Sequence, residues 1–332
     1  MAAILKVENL RKTYRKGRRP AVDGLSFEVE EGAIYAFVGP NGAGKTTTIS
    51  VLSTLMRFDS GDVRVGGYAV DKNPRDVRRL LGYIPDEFGL YGEMLATEYL
   101  DFFASCYGID PSRRPPMIAD LLDLVGLSQR ANDQVRTLSR GMRQRLGLAR
   151  ALVHEPVLVV ADEPAAGLDP RARVDLREIF RALQEMGKTI FLSSHVLREL
   201  DEVATHVGII EMGRLVASGP LDEVRQKMNP QRRIRMTFLN TDQAGEPSGK
   251  TLDDAQAWLA ACSDVISVEP ATEPGNGNGG HPALLVALAG GEYRVAWLLR
   301  TLIAEGFPLL SYTEERETLE SLFLNLTQGG VS

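Results

Sequence analysis

The sequence predicts an α/β protein in two parts, a largely parallel sheet flanked by helices followed by a smaller α+β unit. Three observations carry this expectation. Continuous apolar runs of strand length recur in the first two-thirds of the chain, as in strands buried on both faces of a parallel sheet. A long stretch between them carries apolar residues at helical spacing instead. The last hundred or so residues read in the order β-α-β-β-α-β, which suggests a ferredoxin-like sandwich. At 332 residues the chain is long for one domain and comfortable for two.

Taken in order, IYAFVG (Ile34 to Gly39), VLVVAD (Val157 to Asp162), TIFLSS (Thr189 to Ser194) and HVGIIEMG (His206 to Gly213) are the apolar runs. The segment 86–152 reads as mainly helical, because EYLDFFASCYG and IADLLDLVGL place apolar residues on one helical face. The charged stretch 221–230 reads as a connector, so the expected division is 1–220, a linker at 221–230, and 231–332. The second part reads as strand RIRMTFL, helix DDAQAWLAAC, strand VISVEP, a Gly/Asn loop, strand ALLVALA, helix YRVAWLLRTLIAEG and strand PLLSYT. The loop Gly275 to Gly280 reads as a flexible hairpin tip, with a ligand loop as the alternative. A last helix, TLESLFLNLT, carries the stripe Leu319, Leu322, Phe323 and Leu326. That stripe faces either the unit's own core or a partner chain.

Composition narrows the class. Apolar residues make up 44% and charged residues 25%, ordinary values for a soluble globular protein. A net charge of -6 argues against a nucleic-acid partner, which needs a basic face. No run of about eighteen apolar residues is present to span a bilayer, and MAAILKVENLRKTY turns polar too early for a signal peptide. Cys106 and Cys262 have no metal-ligand spacing and read as reduced thiols. A cytoplasmic location follows as the expectation.

The strongest local signal is GPNGAGKT, comprising Gly39, Pro40, Asn41, Gly42, Ala43, Gly44, Lys45 and Thr46. It fits G-x-x-x-x-G-K-[ST] directly after an expected strand. A nucleotide's phosphates carry several negative charges that must be met without bulky side chains intervening. Glycines let consecutive N–H groups turn inward, and the following helix points its positive end at the same place. Lys45 adds a point charge for the β- and γ-phosphates, and the Thr46 hydroxyl suits Mg²⁺. Thr47 completes the set. Alone, the motif specifies a phosphate-binding NTPase.

Four further stretches follow in fixed order: TLSRGMRQRLGLARAL (Thr137 to Leu152), VLVVADEP (Val157 to Pro164), AAGLDP (Ala165 to Pro170) and FLSSHVLRELDEV (Phe191 to Val203). With the phosphate loop they resemble the nucleotide-binding subunit of ABC transporters from about Ile4 to Pro220. The resemblance implies a P-loop NTPase of ABC type with a helical subdomain, binding ATP with Mg²⁺. It implies that Asp162 holds Mg²⁺ through its water shell and that Glu163 is the general base polarising the attacking water. His195 would contact the γ-phosphate or that water, and Asp86 would reach the metal shell. Ser139 precedes a helical run, so its hydroxyl can cap that helix, and the helix start can offer N–H groups to an anion. By resemblance that anion is the γ-phosphate held on a second copy, with Gly141 allowing close approach and Asp169 acting across the same interface. Tyr14 would stack on adenine, or pack only on its own hairpin.

Two departures stand out. The signature reads LSRGM where the family commonly has LSGGQ, so Arg140 and Met142 are substitutions. GYIPDE places Asp86 where most members carry Gln. Both variants, with GLYGEM and ETLESLFLNLT, resemble the bacterial exporter subgroup that includes antibiotic-resistance pumps such as the daunorubicin-resistance type. The implied partners are a second copy and separately encoded permease subunits, which would hold the chain on the inner face of the membrane. The competing reading is an ABC ATPase acting on ribosomes or DNA. Against it stand a single phosphate loop, the lack of a Cys cluster and the lack of a long heptad run.

Overall fold

A computed structural model describes residues 3–14, 19–86, 89, 91–194, 200–228, 231–239, 250–271 and 281–315. Close contacts divide the chain into two compact units, Met1–Val224 and Arg225–Ser332.

The first unit is built on a six-stranded sheet. Its strands are β3 (Ile34–Val38), β6 (Leu81–Ile84), β7 (Leu158–Ala161), β8 (Thr189–Ser194), β9 (His206–Glu211) and β10 (Arg214–Pro220). They lie in the order β10-β9-β3-β8-β7-β6, all parallel except the edge strand β10. Every residue of β3, β7 and β8 is buried, which explains their unbroken apolar character.

A second sheet was not singled out in the sequence. It is antiparallel, in the order β2-β1-β4-β5, from β1 (Ala3–Lys12), β2 (Val22–Glu30), β4 (Ser60–Val65) and β5 (Tyr68–Ala69). Burial along β2 alternates, so one face is covered and the other is wet. The covered face brings Phe27 against the rings of Tyr35, Phe37 and Phe191, with centroids 5.5 to 5.8 Å apart. Burying each such ring contributes about 1.5–3 kcal/mol. This aromatic cluster welds the two sheets and fixes the strand that launches the phosphate loop.

Helices α1 (Lys45–Leu52) and α2 (Pro74–Leu80) follow β3 and β5. The helical subdomain comprises α3 (Ala96–Cys106), α4 (Arg114–Leu124) and α5 (Arg140–Leu152), and α6 (Pro170–Glu185) connects β7 to β8. The stretch read as a connector contains a helix, α7 (Leu221–Met228). Its Leu221 and Val224 are buried while Asp222, Glu223 and Lys227 are exposed. The charged face masked a helix already anchored to the first unit, where Leu221 N donates to Thr205 O at 2.9 Å.

The second unit has the strands β11 (Gln231–Phe238), β12 (Val265–Ala271), β13 (Ala283–Ala289) and β14 (Leu309–Glu315), with α8 (Leu252–Ala260) and α9 (Glu292–Ala304). The antiparallel order β12-β13-β11-β14 is the split β-α-β arrangement expected. Its own core joins Ile234, Met236, Leu284 and Val286 of the sheet to Leu259, Leu298 and Leu302 of the helices. The expected hairpin tip at 275–280 and the last helix lie outside the described residues. Among the described residues no helix is long and apolar enough to cross a membrane.

Candidate active site

In open parallel sheets, ligands gather beyond the carboxyl ends of the strands. The phosphate loop leaves β3 there, Asp162 leaves β7, and β8 lies between those two strands. The loop is clamped from outside as well as within. Gly213 N donates to Ala43 O at 2.9 Å, and Ala43 N donates to Pro40 O at 3.1 Å. Gly44, with φ 109°, precedes α1 in the left-handed region, and an added Cβ there would sit 2.5 Å from the Ala21 carbonyl. A Cβ at Gly39 would collide with the Ile210 carbonyl. Both positions therefore admit glycine alone, which is why the motif needs glycine at each end.

A cleft of about 520 Å³ opens over this loop, a size typical of small-molecule sites. Tyr14, Asn41, Gly42, Gly44, Lys45, Thr46, Thr47, Asp86 and Glu163 line it, together with Ala21 and Ala166. Lys45 is almost fully buried, and its ammonium donates to Gly39 O at 2.7 Å and Pro40 O at 3.3 Å. Its Nζ also lies 3.4 Å from Glu163 Oε1. A buried cation needs such partners, and here they fix it at the centre of the cradle. Tyr14 is half-exposed, its hydroxyl 3.1 Å from Thr47 Oγ1.

Asp162 is buried, accepts from Ser193 Oγ at 2.7 Å, and lies 3.4 Å from the Thr46 hydroxyl. Ser193 Oγ also accepts from Glu163 N at 3.0 Å. One hydroxyl thus orients both members of the carboxylate pair. The sequence reading missed Ser193, because a serine at a strand end carries no signal until β7 and β8 are known to be neighbours.

Among the described residues no group of three or more His, Cys, Asp or Glu side chains is arranged to hold a metal unaided. Mg²⁺ is commonly held by one or two carboxylates together with substrate phosphates. The Thr46 hydroxyl beside the Asp162 carboxylate, with Asp86 on the same cleft, is a hard oxygen set of that kind.

Ser139, Gly141 and Asp169 do not line this cleft. Ser139 is the N-cap of α5, its hydroxyl accepting from Met142 N at 3.3 Å, and Gly141 packs against Ala172 of α6. Asp169 is the N-cap of α6, accepting from Ala172 N at 3.0 Å. His195 lies outside the described residues. The structure therefore groups the phosphate loop, the carboxylate pair, Asp86 and Tyr14, and sets the signature residues apart from them.

A family model described as ABC transporter matches residues 22–166. The bacitracin transport ATP-binding protein BcrA of Bacillus licheniformis is 40% identical over 331 residues, 99% of each chain. The chain belongs to the ABC transporter ATP-binding family. The linearmycin resistance ATP-binding protein LnrL of Bacillus subtilis is 33% identical over 327 residues, 98% of each chain. A solved ATP-binding subunit of an ABC transporter superposes with TM-score 0.61 at 32% identity, covering 68% of this chain and 92% of that one. This ABC protein is thus the ATP-binding and ATP-hydrolysing subunit of a membrane transporter, not a ribosome- or DNA-acting ATPase. Both bacterial relatives extend along its second unit, whereas the solved subunit corresponds to about the length of its first.

Proposed function

We propose that this chain hydrolyses ATP at a site completed by a second copy of itself. The observation that supports the reading most directly is the convergence in one cleft of Lys45, Thr46 and Glu163, with the buried Asp162 carboxylate 3.4 Å from the Thr46 hydroxyl. Lys45 and the loop N–H groups bind the β- and γ-phosphates, and the Tyr14 ring covers the adenine. Thr46 and Asp162, with Asp86, hold Mg²⁺, which supplies charge neutralisation on the phosphates. Glu163 takes the proton of the attacking water, with His195 beside the γ-phosphate. The N-terminus of α5, capped by Ser139 and opened by Gly141, faces the γ-phosphate on the other copy, and Asp169 acts across that interface.

The permease partner has a candidate seat in the helical subdomain. A groove between α3 and α4 has Phe102, Ile118 and Leu122 on its wall and Glu98, Asp101 and Asp120 at its rim. That pattern suits a basic amphipathic segment of a membrane subunit. It would hold the chain on the cytoplasmic face of the membrane. Given the names of the two bacterial relatives, the cargo proposed is a compound toxic to the cell, selected by the membrane subunits.

The shared site is tested by mixing a Ser139→Ala chain with a Lys45→Ala chain. Each homodimer is expected to be inactive, while the mixed dimer regains one complete site. No recovery of hydrolysis, with mixed dimers demonstrated, overturns the shared site.

A further inference from the structure

The substitution that sets LSRGM apart has a definite place in the fold. Arg140 is the first residue of α5, directly after the Ser139 cap, and its Nη2 donates to Ala166 O at 3.0 Å. The guanidinium lies flat against Gly167, where a Cβ would sit 2.7 to 2.8 Å from Cζ and both terminal nitrogens. Gly167 itself has φ 66°. One planar side chain therefore holds a carbonyl and lies over a glycine whose left-handed backbone disfavours any other residue.

The turn it holds begins at the expected general base. Ala166 N donates to Glu163 O at 3.0 Å, and both residues line the nucleotide cleft. Glu163 has φ 48°, an uncommon backbone conformation for a residue with a side chain, and such conformations persist only where the surroundings enforce them. Ser193 restrains the turn at its start through Glu163 N, and Arg140 restrains it at its end through Ala166 O. The packing of α5 on α6 has other supports, Gly141 against Ala172 and Arg145 Nη1 at 3.6 Å from Asp175 Oδ2. Arg140 is therefore not needed to keep the helices together. What it adds is the tie to the turn.

We propose that Arg140 is a positioning residue that holds the Glu163 turn of its own chain in register for water activation. The test below rests on the shared-site reading, in which the same Arg140 also stands near the partner's nucleotide. Two roles are then possible for it, through its own chain's Glu163 or on the partner's phosphate, and geometry favours the first.

Arg140→Ala is expected to leave ATP affinity and melting temperature unchanged while kcat falls about tenfold to a hundredfold, the scale set by a small misplacement of a reacting group. Arg140→Lys is expected to recover little, because an ammonium cannot both donate to Ala166 O and lie flat on Gly167. Mixed dimers then separate the two roles. With Arg140→Ala and Glu163→Gln on the same chain, the wild-type partner keeps a Glu163 held by its own Arg140, and that site turns over at the normal rate. With the substitutions on opposite chains, the only intact Glu163 is the unheld one, and turnover drops. The inverse pattern places Arg140 on the partner's phosphate and overturns the proposal, as does an Arg140→Ala enzyme with unchanged kcat. If the Ser139 and Lys45 variants show no complementation yet Arg140→Ala still lowers kcat, the shared-site reading fails and the positioning role stands.

Discussion

Glu163 concentrates the chemistry of this chain into one side chain. Its N–H is held by Ser193, its carboxylate lies 3.4 Å from the Lys45 ammonium, and its backbone adopts φ 48°. Glu163→Gln keeps the shape and removes the basic oxygen and its charge. It is expected to bind ATP as before, to lose about 10²- to 10⁴-fold in hydrolysis, and to accumulate as an ATP-bound dimer. Single-turnover hydrolysis with size-exclusion in ATP checks this, and a near-normal rate removes Glu163 from the mechanism. At this scale the sequence was most informative where chemistry dictates both residue type and spacing, as from Gly39 to Thr46. It was silent on Ser193 and on the reason for Arg140. Both act through neighbours 26 to 31 residues away, Ser193 on Asp162 and Glu163 and Arg140 on Ala166, so only the folded chain shows what they touch.

At the scale of elements, legibility tracked burial. Strands β3, β7, β8 and β9 announced themselves as apolar runs, whereas β6, largely buried but only four residues long, did not. The antiparallel sheet of β1, β2, β4 and β5 did not, because one face alternates with polar residues and β5 has only two residues. The turn after α5 offers a test of how the helical subdomain is fastened to the central sheet. His154 stacks on Tyr107 at a centroid distance of 4.0 Å, and its Nε2 lies 3.1 Å from the carbonyl of Leu81 in β6. Burial pushes its pKa below the ordinary 6.5, opposed by the Leu81 carbonyl and reinforced by the charge of Lys188. The folded protein therefore resists a proton that the unfolded chain accepts. The neutral ring's contribution is fully present above about pH 6.5 and is lost as pH falls through the depressed folded value. His154→Phe keeps the stack and removes the titration. Urea midpoints measured between about pH 8 and pH 5 are expected to fall less steeply for this variant than for the parent, and parallel curves would deny the histidine that role.

At the scale of the whole molecule, the two units have separate cores, and every residue of the nucleotide cleft belongs to the first. The β-α-β-β-α-β order of the second unit was legible because its strands and helices alternate cleanly in the sequence. Its purpose was not legible, since among the described residues no group of metal-binding side chains converges there. A chain ending after Met228 retains α7, whose Leu221 and Val224 are buried, and so keeps the first unit intact. Such a chain is expected to bind ATP with the affinity of the full-length protein. The final segment, with Leu319, Leu322, Phe323 and Leu326 at helical spacing, is proposed to steady the ATP-bound dimer. Removing it should then weaken association without touching the cradle. Sedimentation of the truncated chain in ATP, carrying Glu163→Gln to prevent turnover, separates the two effects. A weaker dimer with unchanged nucleotide affinity supports that role, whereas an unchanged dimer constant removes it and confines the second unit to contacts beyond the nucleotide sandwich.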